Sequence, residues 1–529
     1  MTVDTGHKDE ASPKASSGQS ARAEAARGAA ADAIAPQEQG GLGQARIAKL
    51  AETLNEGHAR PAYSPLVLAG LARLGEFAII CATGLAGYTL YIFPTHGHIA
   101  AYYYAIASMA VLAVLVFQAA RIYSIEAFRT PGAHLLRLAG GWVVVFLVAM
   151  AALFFLKRGM EFSRIWLLGW FVSGFAALVL NRIYLYLLVV SLTRRGRLDR
   201  RAVVVGSGLA AEQLLQELSS QSYSSIKIYG VFDDRSDERS PDVVAGYPKL
   251  GNVDDLVEFA RHTRIDLIVF ALPISAERRI LEMLRKLWVL PIDIRLAAHS
   301  NKLQFRPRTY SYVGSVPLLP VFDKPMADWD VVMKMAFDRI VGAVCLILLS
   351  PLMLITAIAV KLDSPGPVLF KQKRHGFNNE KIDVYKFRSM HNDKLDYTAV
   401  NQVKKNDPRV TRVGRIIRKT SIDELPQLFN VVFKGNLSLV GPRPHAVQAR
   451  AADLLYDEVV DGYFARHRVR PGMTGWVQVN GWRGETDTPE KLQRRVEHDL
   501  YYIENWSMLF DLYILALTPF ALTKTENAY

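Results

Sequence analysis

Two cysteines occur in 529 residues, Cys81 and Cys345, and both lie inside apolar runs. That scarcity excludes a disulfide framework and a cysteine metal site, and both thiols read as small buried hydrophobes. Histidines His375, His391, His445, His467 and His498 are scattered, with no His-x-x-x-His pair, so none is assigned to a metal or to general-base work. No zinc-finger spacing, RNP-like run or basic zipper is present, which removes nucleic acid as the reader of the chain's positive charge. Residues 1–60 contain no sustained apolar run with a cleavage pattern behind it. Rich in Ala, Gly, Ser, Gln and Arg, they read as a disordered cytoplasmic tail and not as a signal peptide.

What is present is apolar bulk and unevenly spread positive charge. Half of the residues are hydrophobic, the mean hydropathy is +0.11, and the length exceeds one core, so several domains are expected. Four apolar blocks, at 77–93, 99–120, 138–156 and 165–180 with an extension toward 190, each approach the roughly 20 residues that cross a bilayer. They predict a four-helix transmembrane bundle over 61–195. Arg121, Arg129 and Arg137 follow the second block and Thr193-Arg-Arg-Gly-Arg-Leu-Asp-Arg-Arg201 follows the fourth, marking both ends of the bundle as cytoplasmic. Lys157, Arg158 and Arg164 between the third and fourth blocks run against that pattern. Arg182, within the last block, reads as a side chain snorkelling to the interface, with a functional role as the alternative.

Beyond the bundle, Arg201-Ala-Val-Val-Val-Gly206-Ser-Gly208-Leu-Ala-Ala211 is an apolar strand entering a Gly-x-Gly-x-x-Ala turn and a helix. Alternating strand and helix signals continue, which predicts a Rossmann-like α/β domain over 196–325. Asp233 or Asp234 stands where a ribose-binding acid would be. The same glycines also serve a tight strand-to-helix turn with nothing bound, so the pattern leaves a nucleotide open.

A second membrane element covers 335–360 and is interrupted by Ser350-Pro351, since a proline inside a helix removes a hydrogen bond and kinks the backbone. Lys334 and Arg339 precede it, and Lys361, Lys371, Lys373 and Arg374 follow. Two cytoplasmic flanks predict a re-entrant helix anchoring a C-terminal domain over 330–529. Residues 506–522 read as an interfacial helix. The fold class is therefore membrane α plus α/β.

Between Lys361 and Arg450 stand 18 Lys and Arg against 8 Asp and Glu. Such a surface suits anionic headgroups or phosphorylated substrates. Within it lies Asp407-Pro-Arg-Val-Thr-Arg-Val-Gly-Arg-Ile-Ile-Arg-Lys-Thr-Ser-Ile-Asp423-Glu424-Leu-Pro, followed by Gly441-Pro442-Arg443-Pro444. Ser421-Ile-Asp-Glu424 alone has capping-box spacing. Pro426 unsettles that register, because a helix capped at Ser421 would place it at the fifth position, whereas a cap at Asp423 puts it in the first turn. Beside Arg412, Arg415, Arg418 and Lys419, however, the acidic pair has what phosphoryl transfer needs: cations for phosphates, and carboxylates for a metal or a nucleophile.

These residues resemble the catalytic core of bacterial polyprenyl-phosphate sugar-1-phosphate transferases, and Gln478-Val-Asn-Gly-Trp-Arg-Gly-Glu-Thr-Asp-Thr488 resembles the glucose branch. The resemblance implies that Asp423 is a nucleophile forming an aspartyl-phosphosugar, that Glu424 helps to hold Mg2+, and that Arg418 binds phosphate. It assigns Lys386 and Arg388 in Tyr385-Lys-Phe-Arg-Ser-Met390, and Pro442, Arg443 and Pro444, to substrate or metal-bound phosphate. It further implies the re-entrant helix broken at Ser350-Pro351, a UDP-hexose donor with galactose as the rival to glucose, and undecaprenyl phosphate in the bacterial inner membrane as acceptor; the sequence leaves the oligomeric state open, a homo-oligomer included. Trp476, Trp482 and Arg483 read as either sugar contacts or interface anchors. A reading of a different class takes the Gly206–Gly208 turn as the active part of a membrane-anchored nucleotide-dependent sensor or oxidoreductase, and leaves the Arg and Asp-Glu cluster unexplained.

Overall fold

The computed structural model describes residues 63–158, 161–220, 226–235, 241–273, 276–297, 311–313, 316–392, 407–445, 450–451, 454–456, 460, 462–482, 484 and 488–523. The N-terminal tail and Arg483 lie outside the described residues. Two compact units separate between Asp199 and Arg200.

The first unit contains four long apolar helices: α1 (Pro65–Gly87), α2 (Ala100–Ala119), α3 (Pro131–Phe155) and α4 (Arg164–Arg194). Ser64 and Ser163 start α1 and α4 by accepting from Val67 N and Trp166 N. Helix α1 continues through a wide turn at Tyr88–Ile92 and a short helix to Gly97, whose φ of +68° ends it. The Tyr88 hydroxyl closes this turn, donating to Gly97 O and accepting from Ile99 N. Trp166 and Trp170 of α4 donate their indole N–H to Gly84 O and Ile80 O of α1. A Cβ at Gly84 would stand 2.7 Å from the Trp170 ring, so glycine sets the approach of these two helices.

One expectation is corrected here. Arg182 does not snorkel: it is buried and pairs with Glu76 at 2.8 Å. It donates to Ile122 O, and the Tyr123 hydroxyl donates to the same Glu76 carboxylate. An acid and a base inside an apolar bundle persist because each neutralises the other. Sequence spacing cannot reveal a pair that is 106 positions apart on different helices.

The second unit opens with a doubly wound sheet. Strands β1 (Arg200–Val205), β2 (Ile226–Phe232), β3 (Val243–Val244), β4 (Tyr247–Gly251), β5 (Leu267–Phe270), β6 (Asp293–Ala297), β7 (Ser311–Val313) and β8 (Val316–Phe322) stand in the order 3-4-2-1-5-6-8-7. The central run 4-2-1-5-6 is parallel, with α5 (Leu209–Ser220), α6 (Val253–His262) and α7 (Glu277–Leu287) as connections. Gly206 has φ +107°, and a Cβ there would press against Leu272 and Ala271 O, so the first glycine serves the turn itself. Asp233, at the end of β2, is buried. Its Oδ2 accepts from Ser207 N and Oγ, while Oδ1 accepts from Arg235 N and Arg279.

The C-terminal part hangs on α8 (Asp328–Asp363), about 54 Å long if straight at 1.5 Å per residue. Helical residues continue on both sides of Ser350-Pro351, where a proline bends a helix without ending it. Pro351 cannot donate to Ile347 O, and the Ser350 hydroxyl donates to that carbonyl at 2.8 Å instead. Lys334 is likewise not a free flanking charge. It is buried between Asp338 and Asp511, at 3.0 and 2.7 Å. Asp338 also accepts from Leu439 N, and Tyr502 donates to Asp511. At the other end, Asp363 accepts from Val413 N, and Arg388 donates to Val360 O, Ser364 O and Pro365 O. One face of α8 packs on the domain through Leu346, Leu349, Met353 and Val360. The opposite face exposes Ile340, Ile347, Leu348, Ile355 and Leu362. Helix α11 (Met508–Thr523), preceded by α10 (Pro489–Glu504), buries Ile514 and exposes Leu509 and Phe520. With α8, five helices among the described residues are long and apolar enough to cross a membrane.

Candidate active site

The site begins with a hairpin, β9 (Leu369–His375) and β10 (Lys381–Phe387), paired antiparallel with Lys386 opposite Phe370. Asn430 holds β10 against the helical turns that follow the acidic pair. Fully buried, its amide oxygen accepts from Tyr385 N while its nitrogen donates to Asp383 O and Asn436 Oδ1. Lys386 is thereby fixed in register with the acids.

Helix α9 (Arg412–Lys419) delivers the acids. Thr411 caps it by accepting from Gly414 N, and a Cβ at Gly414 would overlap the Ser389 carbonyl, so the helix lies directly on the chain leaving β10. Ser421 then takes a left-handed conformation at φ +58°, a rare state for a residue with a side chain. It starts a 3-10 turn, Ile422–Glu424, with no side-chain cap, so the capping-box reading does not hold. Pro426, at φ −61°, stands just ahead of the next turn, Gln427–Phe429.

The two carboxylates meet different surroundings. Glu424 is tied on both oxygens: Lys386 Nζ lies 2.8 Å from Oε1, and Arg443 lies 2.5 Å from Oε1 and 3.2 Å from Oε2. Burial pushes its pKa up, but Arg443 and Lys386 overcome this and hold it well below the ordinary carboxylate value. Asp423 has no hydrogen bond or ion pair to the described residues and is 8 % exposed. Burial raises its pKa; Lys386 opposes the shift and the Glu424 charge adds to it, with a net upward direction. The adjacent acids are thus pushed apart, one fixed as an anion and the other unbonded, near Lys386, Arg418 and Arg443.

Of the residues expected from sequence, Asp423, Glu424, Lys386, Arg418 and Arg443 come together. Pro442 and Pro444 frame Arg443. Arg388 does not join them: period-two alternation would place it beside Lys386, but β10 ends at Phe387, and the buried guanidinium turns to the carbonyls at the end of α8. Trp476 packs against Tyr501 and Phe510, and Trp482 lies against His498. Sequence reading missed Arg374 as a site residue. Burial and Arg443 draw its pKa down to about 10, so it remains charged at neutral pH beside both acids. It also missed Arg466, which pairs with Asp499 at 2.6 Å and donates to Arg443 O at 2.7 Å. His445 is held neutral by burial, with Arg466 adding to the effect. The signal available for Arg374 and Arg466 was indirect: two prolines in Pro442-Arg443-Pro444 lack N–H groups, so that turn depends on donors from elsewhere.

No three His, Cys, Asp or Glu side chains converge among the described residues to cage a metal ion. Of the Glu424 oxygens, Oε2 meets Arg443 alone among the described residues, at 3.2 Å, and so keeps a lone pair beside Asp423.

Comparison with known proteins agrees with this geometry. Residues 329–525 match the bacterial sugar transferase family, and residues 118–298 match a CoA-binding domain. A UDP-glucose:undecaprenyl-phosphate glucose-1-phosphate transferase of Xanthomonas campestris pv. campestris is 33% identical over 459 residues, covering 86% of this chain and 94% of the relative. An undecaprenyl-phosphate glucose phosphotransferase of Komagataeibacter xylinus is 40% identical over 338 residues, 64% of this chain and 62% of the relative. The glucose-1-phosphate transferase of Escherichia coli (strain K12) is 37% identical over 369 residues, 69% of this chain and 76% of the relative. With an unbonded aspartate among cations at the centre of the matched region, and a relative aligned along nearly its whole length, this chain is a membrane enzyme that belongs to the bacterial sugar transferase family, the polyprenyl-phosphate sugar-1-phosphate transferases.

Proposed function

We propose that this enzyme transfers glucose-1-phosphate from UDP-glucose to undecaprenyl phosphate and so initiates polysaccharide synthesis. The observation that carries the reading is the unbonded Asp423 carboxylate beside a Glu424 already neutralised by two cations. An Asp423 oxygen attacks the phosphorus that bears the sugar. The bond from that phosphorus to the UMP oxygen breaks, UMP leaves with the electron pair, and an aspartyl-phosphoglucose remains. Lys386, Arg418 and Arg443 stabilise the charge that builds on the phosphate oxygens. A phosphate oxygen of the lipid then attacks the same phosphorus and releases Asp423. A Mg2+ bound by Glu424 would supply further charge neutralisation to the diphosphate.

The membrane geometry follows from the same reading. Both ends of α8 are tied to one domain, through Lys334–Asp511 at the start and Asp363–Val413 at the end, which supports a helix that enters one leaflet and returns. The active site then lies at headgroup height on the cytoplasmic face of the inner membrane, where the acceptor phosphate is. Ala327→Cys and Lys373→Cys, in a chain lacking Cys81 and Cys345, should both resist an impermeant thiol reagent in intact cells and label together once the membrane is opened. Labelling of one alone in intact cells would mean that α8 spans.

The test of the reaction supplies UDP-glucose without lipid acceptor. UMP should appear in a burst equal to the enzyme present, with sugar-phosphate label retained on the protein, and EDTA should suppress both. Absence of burst and label, with UMP formed only when both substrates are present, would replace the two-step route by direct transfer. UDP-galactose offered in parallel discriminates the sugar.

A further inference from the structure

The Pro442-Arg443-Pro444 turn cannot support itself. Strand β11 (Ser438–Val440) pairs in parallel with Gly472–Thr474, and its ladder closes at Gly441 N to Thr474 O, where two residues without an N–H follow. Each carbonyl of the next four residues nevertheless has a donor. Gly472 N reaches Pro442 O at 2.9 Å, and His375 N reaches His445 O at 3.2 Å. Between them the donors are side chains: Arg466 Nη2 to Arg443 O at 2.7 Å, and Arg374 Nη1 to Pro444 O at 2.5 Å.

These two arginines are themselves held. Arg466, almost fully buried, pairs with buried Asp499 at 2.6 Å and donates toward the Tyr463 hydroxyl and the His445 ring. Arg374 is clamped by Gln372, whose amide oxygen accepts from Nε at 3.2 Å and Nη2 at 2.8 Å. Neither guanidinium reaches Glu424, while Arg443 meets it through two nitrogens. A two-pronged contact of this kind depends on backbone placement, because a small displacement loses one prong.

We infer that Arg466 and Arg374 are positioning residues that clamp the Pro442-Arg443-Pro444 turn from its two carbonyls and aim the Arg443 guanidinium at the acidic pair. The inference rests on the transferase reading above, because the site that Arg443 serves is the one proposed there. Arg466→Ala would strand the Asp499 carboxylate in the interior, so lysine replacements, which keep the charge and lose the fork, are the variants to use.

The experiment is a double-mutant cycle in the full-length protein in detergent, joining Arg374→Lys and Arg466→Lys in turn to Arg443→Ala. Each lysine variant should lower kcat/KM for UDP-glucose by about 10- to 100-fold, the range common for residues that orient a working group. In the Arg443→Ala background, the same lysine changes should cost nothing more. A residue that only stabilises the fold would give losses that multiply. The cycle is read a second time as the rise in melting temperature produced by sodium pyrophosphate, which reports on the anion site without turnover. If wild-type enzyme shows the pyrophosphate shift but no UMP release, the transferase reading fails while the pyrophosphate cycle still judges the clamp. Multiplying losses, wild-type behaviour of both lysine variants, or failure of both to fold would overturn the inference.

Discussion

Asp233 and Asp423 are both buried aspartates that lie near arginine, yet their surroundings differ in one respect. Asp233 is saturated, with Ser207, Arg235 and Arg279 donating to its two oxygens. Asp423 is left without a partner among the described residues, although four cations stand around the acidic pair. A carboxylate whose lone pairs are filled by its own fold is architecture, since any ligand must first displace those donors. A carboxylate left without donors from its own fold, beside cations, keeps its lone pairs for a ligand, and that points to chemistry. By this measure the glycine turn of the central domain has the marks of a structural joint, and the 3-10 turn at Ile422–Glu424 has those of the reacting centre proposed above.

The comparison breaks most visibly at Asp423. Asp423→Asn keeps side-chain volume and should lower turnover by at least about a thousandfold, as loss of a nucleophile does, with folding and membrane association unchanged. Rates near wild type in membranes would place the nucleophile elsewhere.

Asp233→Asn should do the reverse. Losing the charge that receives Ser207 and Arg279 should cost roughly 1–3 kcal/mol of stability, seen as a lower melting temperature, while turnover per folded molecule stays near wild type. A folded Asp233→Asn enzyme without activity would make the central acid part of the working site.

The smallest effect concerns pH. Arg418 lowers the pKa of Asp423, which burial and Glu424 raise. A carboxylate must be ionised to attack, so activity falls as pH drops through its pKa; removing a favourable cation raises that pKa further. Arg418→Gln should therefore move the acid limb of the kcat/KM profile to higher pH. A limb that stays in place, or moves to lower pH, would detach Arg418 from Asp423.

How legible this was depended on whether a feature is local along the chain. The four apolar blocks announced α1 to α4, although α1 begins at Pro65, twelve residues ahead of its block, because Arg73 and Glu76 hide its first turns from a hydropathy reading. The Asp423-Glu424 pair and its companions Arg418, Lys386 and Arg443 were visible as motifs. What escaped was pairing across the fold: Glu76 with Arg182, Lys334 with Asp511, and Arg466 with both Asp499 and the Arg443 carbonyl. At Ser350-Pro351 the helical run continues where a local reading ends it, because the hydroxyl that precedes the proline donates to the carbonyl the proline leaves orphaned. Arg388 came to the site only with the motif that resembles the family's, and motif membership does not show that its guanidinium turns to the carbonyls at the end of α8.

A sheet of two strands has open edges, and an open edge is a template on which another chain can add itself. The β9–β10 hairpin stands in that position. Asn430 answers it with a single side chain: its amide carries one acceptor and one donor, as a peptide unit does, and sets them on Tyr385 N and Asp383 O. The strand that carries Lys386 thus meets a one-residue imitation of a neighbouring strand. With those two groups taken, strand addition is blocked along this part of the edge, and Lys386 keeps its place in a hairpin that cannot be extended there.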